Sequence, residues 1–280
     1  MRFHDFIGPI TIVLANVCFM GSFSLAKVAA VDTAIMVIML FRFLAGPVIL
    51  TPYIVAKKKP IKLTAWRLLG TRVCCGVLAM SALFAAFKHG DIGKSTLIFE
   101  FSILWTLIYD AVVEKRWPSR WSMMAIVGAF IGIIMIIKPG HLGTFYMGDM
   151  FAFIGSIFNA GVYVTLKKLR DRYDTVTVVF WTYTISSLVL LIPAAPYLSQ
   201  LSISTLSILV FMCTLGLMGQ VLLTLGFKFA PASISAMFML SIVPLTTASG
   251  RLFFNEVHTS TTIWGMVLVG GSLLVIARWR

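Results

Sequence analysis

Charged side chains are scarce in this chain. Only 12% of its 280 residues are Asp, Glu, Lys or Arg, whereas 59% are hydrophobic, and the mean hydropathy is +0.97. A soluble domain of this length needs a much larger polar share to cover its surface. The charged residues instead cluster between apolar stretches of about 20 residues, which is the length that crosses ~30 Å of hydrocarbon as a helix. The composition therefore excludes a soluble globular protein and indicates a membrane protein.

The sequence also lacks the motifs of enzymes and metal sites. Its four cysteines, Cys18, Cys74, Cys75 and Cys213, lie inside apolar stretches without CxxC or Cys/His spacing. HExxH and GxSxG are missing, and the segment HGDIGKST at 89–96 does not have the spacing of a phosphate-binding loop. The four histidines lie apart, near the ends of the stretches. We therefore expect no enzymatic activity, no cofactor and no bound metal.

The apolar stretches predict ten membrane-spanning helices, which we number as spans 1 to 10 from the amino terminus. Spans made of open strands are excluded, because their unpaired backbone groups find no hydrogen-bond partner in lipid. The predicted spans cover residues 7–27, 33–56, 66–87, 92–113, 120–138, 148–167, 175–198, 204–227, 232–253 and 261–278. The sequence thus predicts an all-α membrane protein with ten transmembrane helices.

Basic residues predict the orientation of these spans. When successive loops are assigned to alternate sides, the side of the amino terminus holds most of the 23 Lys and Arg residues, including Lys57, Lys58 and Lys59. The positive-inside rule places this side in the cytoplasm. We therefore expect a multi-pass protein of the cytoplasmic (inner) membrane with both termini cytoplasmic. Its net charge of +13 then indicates contact with anionic membrane lipid and requires no nucleic-acid partner.

The chain resembles itself after a shift of about 140 residues. This shift places Gly8 on Gly148, Gly21 on Gly161, Lys27 on Lys167, Gly76 on Gly216, Phe87 on Phe227 and Lys88 on Lys228. A shift of 142 residues places Asp32 on Asp174, Glu114 on Glu256 and Gly128 on Gly270. We infer two homologous halves, 1–140 and 141–280, with five spans each. Because five is odd, the second half is inverted relative to the first, as in secondary transporters with a substrate site near the midplane.

The ends of the two halves carry a resemblance to a known family. They read FEFSILWTLIYDAVVEKRWPSRWSMMAIVGAFIGIIMIIKPG and FMLSIVPLTTASGRLFFNEVHTSTTIWGMVLVGGSLLVIA. These segments resemble the paired EamA-type repeats of the drug/metabolite transporter superfamily, through Pro244 and Glu256 in the second half and through Glu114, Gly128 and Gly132 in the first. The resemblance implies that spans 1–4 and 6–9 surround a substrate cavity, that spans 5 and 10 are peripheral, and that the protein exchanges or co-transports a small organic metabolite.

Two further features refine the resemblance. The segment FRFLAGPVILTP in span 2 and the stretch Arg72–Gly76 in span 3 are similar to the subgroup that moves S-adenosylmethionine or riboflavin. Proline centres the family's broken helix, and Ser102 stands in the first half where the second half has Pro244. We therefore expect the break to be absent from span 4.

Four charged side chains fall within the spans: Arg42, Arg72, Glu100 and Asp110. Each costs ~3 kcal/mol at mid-bilayer, so all four should face the protein interior. Depth along the helices predicts that Arg42 lies near Glu100 and that Arg72 lies near Asp110. Such pairs fit two interpretations equally well. They are structural ion pairs, or Glu100 and Asp110 bind protons or a cationic substrate group.

Polar and aromatic side chains complete the predicted substrate site. Beside Glu100, Arg42 and Arg72, the candidates are Asn16, Phe23, Trp105, Tyr109, Asn159, Tyr163, Trp181, Tyr183 and Gln220. Alternatively, the aromatic members anchor the protein at the membrane interface or pack against other helices. In a continuous span 4, Ser102, Thr106 and Tyr109 lie on the face opposite Glu100, so only one of these faces could line a cavity squarely.

Three functions fit the sequence. The favoured one is a transporter of a cationic or aromatic metabolite, such as S-adenosylmethionine, riboflavin or an amino acid, driven by protons or by exchange. A flippase for a lipid-linked intermediate predicts a cavity that opens sideways between helices, whereas a metabolite transporter predicts an enclosed polar cavity. A non-transporting scaffold does not explain the buried charges. The glycines Gly128 and Gly132 fit packing within the chain and contact in a homodimer equally well.

Overall fold

The computed structural model of the protein describes residues 4–90, 92–115, 117, 119–137, 147–229, 232–254 and 260–279. The described residues form twelve α-helices and no strand. The helices are α1 (His4–Ala29), α2 (Ile35–Ala56), α3 (Trp66–His89), α4 (Ile92–Phe99), α5 (Ser102–Val112), α6 (Arg120–Ile137), α7 (Met147–Arg170), α8 (Thr175–Ala194), α9 (Ile203–Gly226), α10 (Ala232–Met239), α11 (Ile242–Phe254) and α12 (Ser260–Trp279).

The ten predicted spans are confirmed as helical. Eight helical stretches are long and apolar enough to cross a membrane, and α6 and α12 contain the shorter apolar segments Met123–Gly132 and Ile263–Ser272. Span 4 consists of α4 and α5, and span 9 consists of α10 and α11. The predicted boundary between the halves, at residues 140 and 141, lies outside the described residues, as does Glu256. The division into 1–140 and 141–280 therefore stays a prediction.

Span 4 is broken at Glu100 and Phe101, so the expectation of a continuous helix here was wrong. The break arises because the backbone tightens for one turn. The N–H of Phe101 donates to the carbonyl of Ile98 at 3.2 Å, and the N–H of Ile103 donates to that of Glu100 at 3.1 Å. These bonds reach back three residues instead of four, which is the 3-10 pattern. A proline is not required for it.

Span 9 has the same break at Leu240 and Ser241, which are 140 residues after Glu100 and Phe101. Here the N–H of Ser241 donates to the carbonyl of Phe238 at 3.2 Å, and the N–H of Val243 donates to that of Leu240 at 3.1 Å. Pro244 lies in the first turn of α11, where proline costs no backbone hydrogen bond. The two breaks are therefore equivalent features of the repeat.

An asparagine from the opposite half supports each break. The side-chain amide of the fully buried Asn16 donates to the carbonyls of Phe238 and Met239 at 3.2 and 3.3 Å and to the hydroxyl of Ser241 at 2.7 Å. These bonds reinforce the break in span 9, where the carbonyl of Phe238 also accepts from the N–H of Ser241. In the other direction, Asn159 of α7 donates to the hydroxyl of Ser102 at 3.0 Å.

Close contacts between the halves repeat with the same shift of 140 residues. A Cβ placed on Gly8 of α1 would lie 3.3 Å from the carbonyl oxygen of Gly226, at the end of α9. A Cβ placed on Gly148 of α7 would lie 3.1 Å from the carbonyl oxygen of Ala86, in α3. Gly148 follows Gly8 by 140 positions, and Ala86 precedes Gly226 by 140 positions. A two-fold axis that exchanges the halves produces this swap.

The glycine contacts also give the direction of the helices. Gly8 approaches Gly226, whereas Gly21 approaches Leu215, so α1 and α9 are antiparallel. The helices α7 and α9 run in the same direction, because one spanning helix, α8, separates them. The equivalent helices α1 and α7 are therefore oppositely directed. The repeats are inverted, as the odd number of spans predicted.

The helices α6 and α12 pack mainly against each other at the periphery. A Cβ on Gly128 would lie 2.9 Å from the hydroxyl of Ser272, and one on Gly132 would lie 2.7 Å from the carbonyl of Gly265. These glycines therefore serve contact within the chain, which was one of the two interpretations of the motif. The peripheral position of spans 5 and 10 is as expected.

Candidate functional site

A cavity lies between the halves, next to the break in span 4. About 60 Å³ of it is open to the centres of water molecules, which is room for a few waters. Nearly all of its lining side chains are buried, so the cavity lies inside the helix bundle. The lining residues are Phe19, Phe23, Arg42, Phe43, Arg72, Gly76, Ala79, Met80, Phe99, Glu100, Asn159, Val162, Tyr163, Thr182, Tyr183, Gln220, Leu223 and Met239.

The cavity lies on the axis that exchanges the halves. Its lining contains six pairs of residues that are equivalent after the shift of 140 positions. The pairs are Phe19 with Asn159, Phe23 with Tyr163, Arg42 with Thr182, Phe43 with Tyr183, Met80 with Gln220, and Phe99 with Met239. Both halves therefore contribute the same backbone positions to one shared chamber.

Glu100 sits in the break of span 4 and lines this cavity. Only 3% of its surface is exposed, and one carboxylate oxygen accepts a hydrogen bond from the hydroxyl of Tyr163 at 3.2 Å. The expected ion pair with Arg42 is not present among the described residues, although both side chains line the same cavity. Counting residues from the span ends brought the two side chains to the same cavity but did not give their separation around the bundle.

Arg42 is buried against aromatic rings. Its guanidinium carbon lies 5.5, 5.7 and 5.9 Å from the ring centroids of Phe19, Phe23 and Phe84, which is cation–π distance. One terminal nitrogen donates to the hydroxyl of Ser22 at 3.1 Å. The ring faces and one hydroxyl therefore stabilise this charge where a carboxylate was expected.

Arg72 lines the cavity without any such partners. It is 4% exposed, and its Nε atom has no hydrogen-bond partner in the described structure. The predicted pairing with Asp110 was wrong, because Asp110 lies in a second cavity that the Arg72 side chain does not line.

The second cavity lies where α5 and α7 end. Asp110 and Tyr109 line it together with Glu114 and Lys168. The Lys168 ammonium donates to the Tyr109 hydroxyl at 2.6 Å and lies 3.1 Å from a Glu114 carboxylate oxygen, to which Tyr109 also donates at 3.3 Å. The predicted roles of Tyr109 in substrate binding and Asp110 in proton coupling therefore fall outside the main cavity.

Eight of the predicted site residues do meet in the main cavity, namely Arg42, Arg72, Glu100, Phe23, Asn159, Tyr163, Tyr183 and Gln220. Of the others, Asn16 supports the break in span 9. Trp105 is 36% exposed, and its indole N–H donates to the hydroxyl of Ser156 at 3.2 Å. The Trp181 indole donates to the carbonyl of Ile61 at 2.8 Å and packs edge-on against Trp66. These residues join helices and loops, which was the alternative interpretation of the aromatic candidates.

Several lining residues escaped the sequence analysis. The shift of 140 positions would have found four of them, because it carries Asn159 to Phe19, Arg42 to Thr182, Tyr183 to Phe43 and Gln220 to Met80. A chamber on a two-fold axis requires equivalent positions from both halves, whatever the side chains. The remaining small and apolar lining residues carry no chemical signal in the sequence.

Polar contacts join the two halves at the end of the bundle where Lys59, Thr64, Tyr173 and Asp174 lie. We call this end the basic end. The ammonium of Lys59 pairs with the carboxylate of Asp174, and the hydroxyls of Thr64 and Tyr173 lie 2.8 Å apart. Burial alone would raise the pKa of Asp174. The hydrogen bonds from Lys59 and from the N–H of Thr177 outweigh this effect and hold the pKa below its ordinary value.

Comparison with known proteins agrees with this architecture. The Pseudomonas aeruginosa protein named pseudopaline exporter CntI is 24% identical over 279 residues, which cover 98% of this chain and 96% of that protein. The S-adenosylmethionine uptake transporter of Rickettsia bellii is 23% identical over 84% of this chain and 81% of its own length. Human solute carrier family 35 member G1 is 27% identical over 72% of this chain and 58% of its own length.

A solved structure with 12% identity covers 98% of this chain and 96% of its own, with a TM-score of 0.76, which shows a shared fold. The sequence profile of the EamA-like transporter family matches twice, at residues 6–138 and 146–278. With the ten spans, the two inverted repeats and the chamber between them, these matches show that the chain is a multi-pass membrane protein that belongs to the EamA-like transporter family.

Proposed function

We propose that the protein is a secondary transporter that moves a small organic metabolite across the cytoplasmic membrane by alternating access. The observation that carries this proposal is the chamber between the inverted repeats, whose buried lining includes the charged residues Arg42, Arg72 and Glu100. A chamber whose lining is buried inside the bundle favours a metabolite over a lipid-linked substrate, because a flippase needs a sideways opening for acyl chains. Charged side chains inside membrane spans are costly, and a passive scaffold would not require them. Their presence favours a transport site.

Inverted repeats supply the movement that alternating access requires. If the halves adopt slightly different conformations, an exchange of these conformations closes the chamber at one end and opens it at the other. The contacts of the basic end join the first half to the second, so those between Lys59 and Asp174 and between Thr64 and Tyr173 break when the chamber opens there. We also propose that this basic end faces the cytoplasm, together with both termini. A reporter fused to the carboxyl terminus, active only in the cytoplasm, checks this orientation.

Glu100 is the proposed coupling residue. It belongs to the first half, but its hydrogen-bond donor Tyr163 belongs to the second. A movement of one half against the other therefore changes the stabilisation of the charged carboxylate, which links its protonation to the conformation of the transporter. In this way a proton or a basic substrate group at Glu100 favours one conformation over the other.

Purified protein in proteoliposomes tests the proposal. Uptake of S-adenosylmethionine, riboflavin, amino acids and cationic drugs is measured with and without a pH gradient. We expect accelerated uptake of at least one compound by the wild type. We also expect that the Glu100→Gln variant loses the response to the gradient, while Asp32→Asn, at an exposed turn residue, retains it. Wild-type protein that accelerates no compound contradicts transport. Unchanged uptake and unchanged pH dependence in Glu100→Gln contradict the role of Glu100 alone.

A further inference from the structure

The protein buries arginines in two different ways. Arg170, in α7, donates to the carbonyls of Thr224, at 2.9 Å, and Tyr173, so backbone acceptors stabilise its charge. Arg72 is buried more deeply, at 4% exposure, and no hydrogen bond or ion pair from its guanidinium to a described residue is found. A buried charge without a partner destabilises the protein by several kcal/mol. A ligand that enters the cavity could supply the missing partner.

Other unsatisfied polar atoms lie around the same chamber. The hydroxyl of Tyr183 and the hydroxyl of Thr182 are buried without a hydrogen-bond partner, as is the Nε of Arg72. All three residues line the cavity. A hydroxyl can donate or accept a hydrogen bond, but a guanidinium N–H can only donate, so Arg72 requires an acceptor that the two hydroxyls can join as donors.

The charges of the chamber are also unbalanced. Arg42 and Arg72 line it, and among the described lining residues Glu100 is the one acid. Neither arginine lies within ion-pair distance of Glu100, and the carboxylate already accepts a hydrogen bond from Tyr163. With Glu100 ionised, the lining therefore keeps one net positive charge. A ligand with one net negative charge brings the chamber to neutrality.

We propose that the transported metabolite is an organic acid, whose acidic group binds Arg72 and Arg42 together with the hydroxyls of Tyr183 and Thr182. This inference rests on the proposed function and narrows its substrate class. A planar guanidinium donates two parallel hydrogen bonds to a carboxylate or a phosphate, which suits Arg72 to this role. Because the lining is buried inside the bundle, we assign the acid to the soluble metabolites and test an anionic lipid separately. The end of the ligand remote from the acidic group lies toward Glu100 and Tyr163.

Thermal unfolding of the purified protein tests this inference. The probes are succinate, glutamate, histidine and indole-3-acetate, each compared with its methyl ester, and phosphatidylglycerol in a separate arm. We expect at least one free acid to raise the wild-type Tm by about 3 °C or more at saturation, while its ester does not. In Arg72→Met the acid should no longer raise the Tm. The Tm of the ligand-free variant should exceed that of the wild type, because an unpaired buried charge has been removed.

Two variants separate ligand binding from structural support. Arg170→Met should lower the ligand-free Tm, because Arg170 has backbone partners, and should keep the response to the acid. Arg72→Lys keeps the charge but not the planar fork of the guanidinium. We therefore expect its affinity for the acid to be at least about tenfold lower, so that a correspondingly higher concentration of acid is needed to raise the Tm. A lower ligand-free Tm in Arg72→Met, with the response to the acid retained, would show that Arg72 is a structural residue and overturn the inference.

The outcomes of the probe series are equally decisive. Equal shifts for every acid and its ester, no shift with any acid, or a shift with phosphatidylglycerol alone each overturn the inference. The proposed function is judged separately, by flux in proteoliposomes. If the wild type moves only compounds without an acidic group, transport stands and the acidic substrate class is rejected.

Discussion

At equivalent positions of the chamber, the first half places Phe23 and Phe43 where the second half places Tyr163 and Tyr183. Arg42 of the first half likewise corresponds to Thr182 of the second. The first half thus supplies the charges and bare rings, whereas the second supplies neutral hydrogen-bonding groups. The scaffold around the chamber is symmetric by contrast, because its glycine contacts and helix breaks repeat. The comparison teaches that the repeat preserves the backbone geometry of the two halves, while the chemistry of the lining differs between them.

The scaffold side of this comparison predicts the largest effects. In Gly21→Leu the new Cβ meets Leu215 at 3.0 Å, and in Gly161→Leu it meets Cys75 at 2.8 Å, so both variants overpack equivalent helix contacts. We expect each to lower the free energy of unfolding by about 3 kcal/mol, measured by thermal unfolding of purified protein. Gly70→Leu is the matched control, because no atom lies within 4 Å of its added Cβ. If only one of the two variants kept wild-type stability, the two helix contacts would not be equivalent and the symmetry of the scaffold would be rejected.

The lining side predicts unequal effects at equivalent positions. Tyr163→Phe removes the hydrogen bond to Glu100, and a bond to a charged group contributes about 1.5–3 kcal/mol, so uptake should fall at least about tenfold. Phe23→Tyr adds a hydroxyl at the equivalent position, but the counterpart of Glu100 is Leu240, so no new bond to a carboxylate forms and the change in uptake is smaller. Uptake measured side by side checks this order. Equal losses in the two variants would mean that the rings act only by packing.

The helix breaks allow a finer comparison. Asn16 makes three hydrogen bonds at the break of span 9, whereas Asn159 makes one, to Ser102, at the break of span 4. We expect Asn16→Ala to lower the free energy of unfolding by about 2 kcal/mol and Asn159→Ala by about 1 kcal/mol. Chemical or thermal unfolding of the two variants measures the difference. A larger loss in Asn159→Ala would reject the assignment of Asn16 as the main support.

The amino ends of α2 and α8 predict the smallest effect. Asp174 caps α8 through the N–H of Thr177, whereas Ala34, which precedes α2 and corresponds to Asp174 by the shift of 140 residues and not by that of 142, gives α2 no side-chain cap. Because the pKa of Asp174 is lowered in the folded protein, its stabilisation is complete above the unfolded value of about 3.9 and is lost as the pH falls through the folded value. Solvent screening limits the effect to about 1 kcal/mol. Asp174→Asn should remove this part of the acid sensitivity of Tm below about pH 4, and an identical pH profile would contradict the assignment.

The spans, the repeat and the inversion could be predicted because hydropathy and glycine spacing report directly on lipid exposure and close packing. The break in span 4 could not be predicted from a proline rule, since a 3-10 turn at Glu100 and Phe101 needs no proline. The helical-wheel argument for span 4 agrees with the lining of the main cavity, because Glu100 lines it whereas Ser102, Thr106 and Tyr109 do not. Ser102 instead bonds to Asn159, which is a lining residue.

The arginine pairs show a second limit of the sequence. Counting residues from the span ends gives depth in the membrane but not the angle around the bundle, so Arg42 and Arg72 were assigned to carboxylates that they do not contact. Trp181 and Tyr183 illustrate the same point, because two residues along a helix differ by about 200°. Tyr183 lines the chamber, whereas Trp181 joins the loop before α3.

The central claim is that the two halves share a chamber that water enters during transport. Labelling of Thr182→Cys, in a background where the four native cysteines are replaced by alanine, tests it most directly. The matched control on the same helix is Leu188→Cys, at a surface position that is 62% exposed and faces lipid in our account. Thiolates form and react in water, so we predict that a membrane-impermeant thiosulfonate modifies Thr182→Cys, blocks uptake and leaves Leu188→Cys unmodified. Modification of Leu188→Cys with an inert Thr182→Cys would contradict the account.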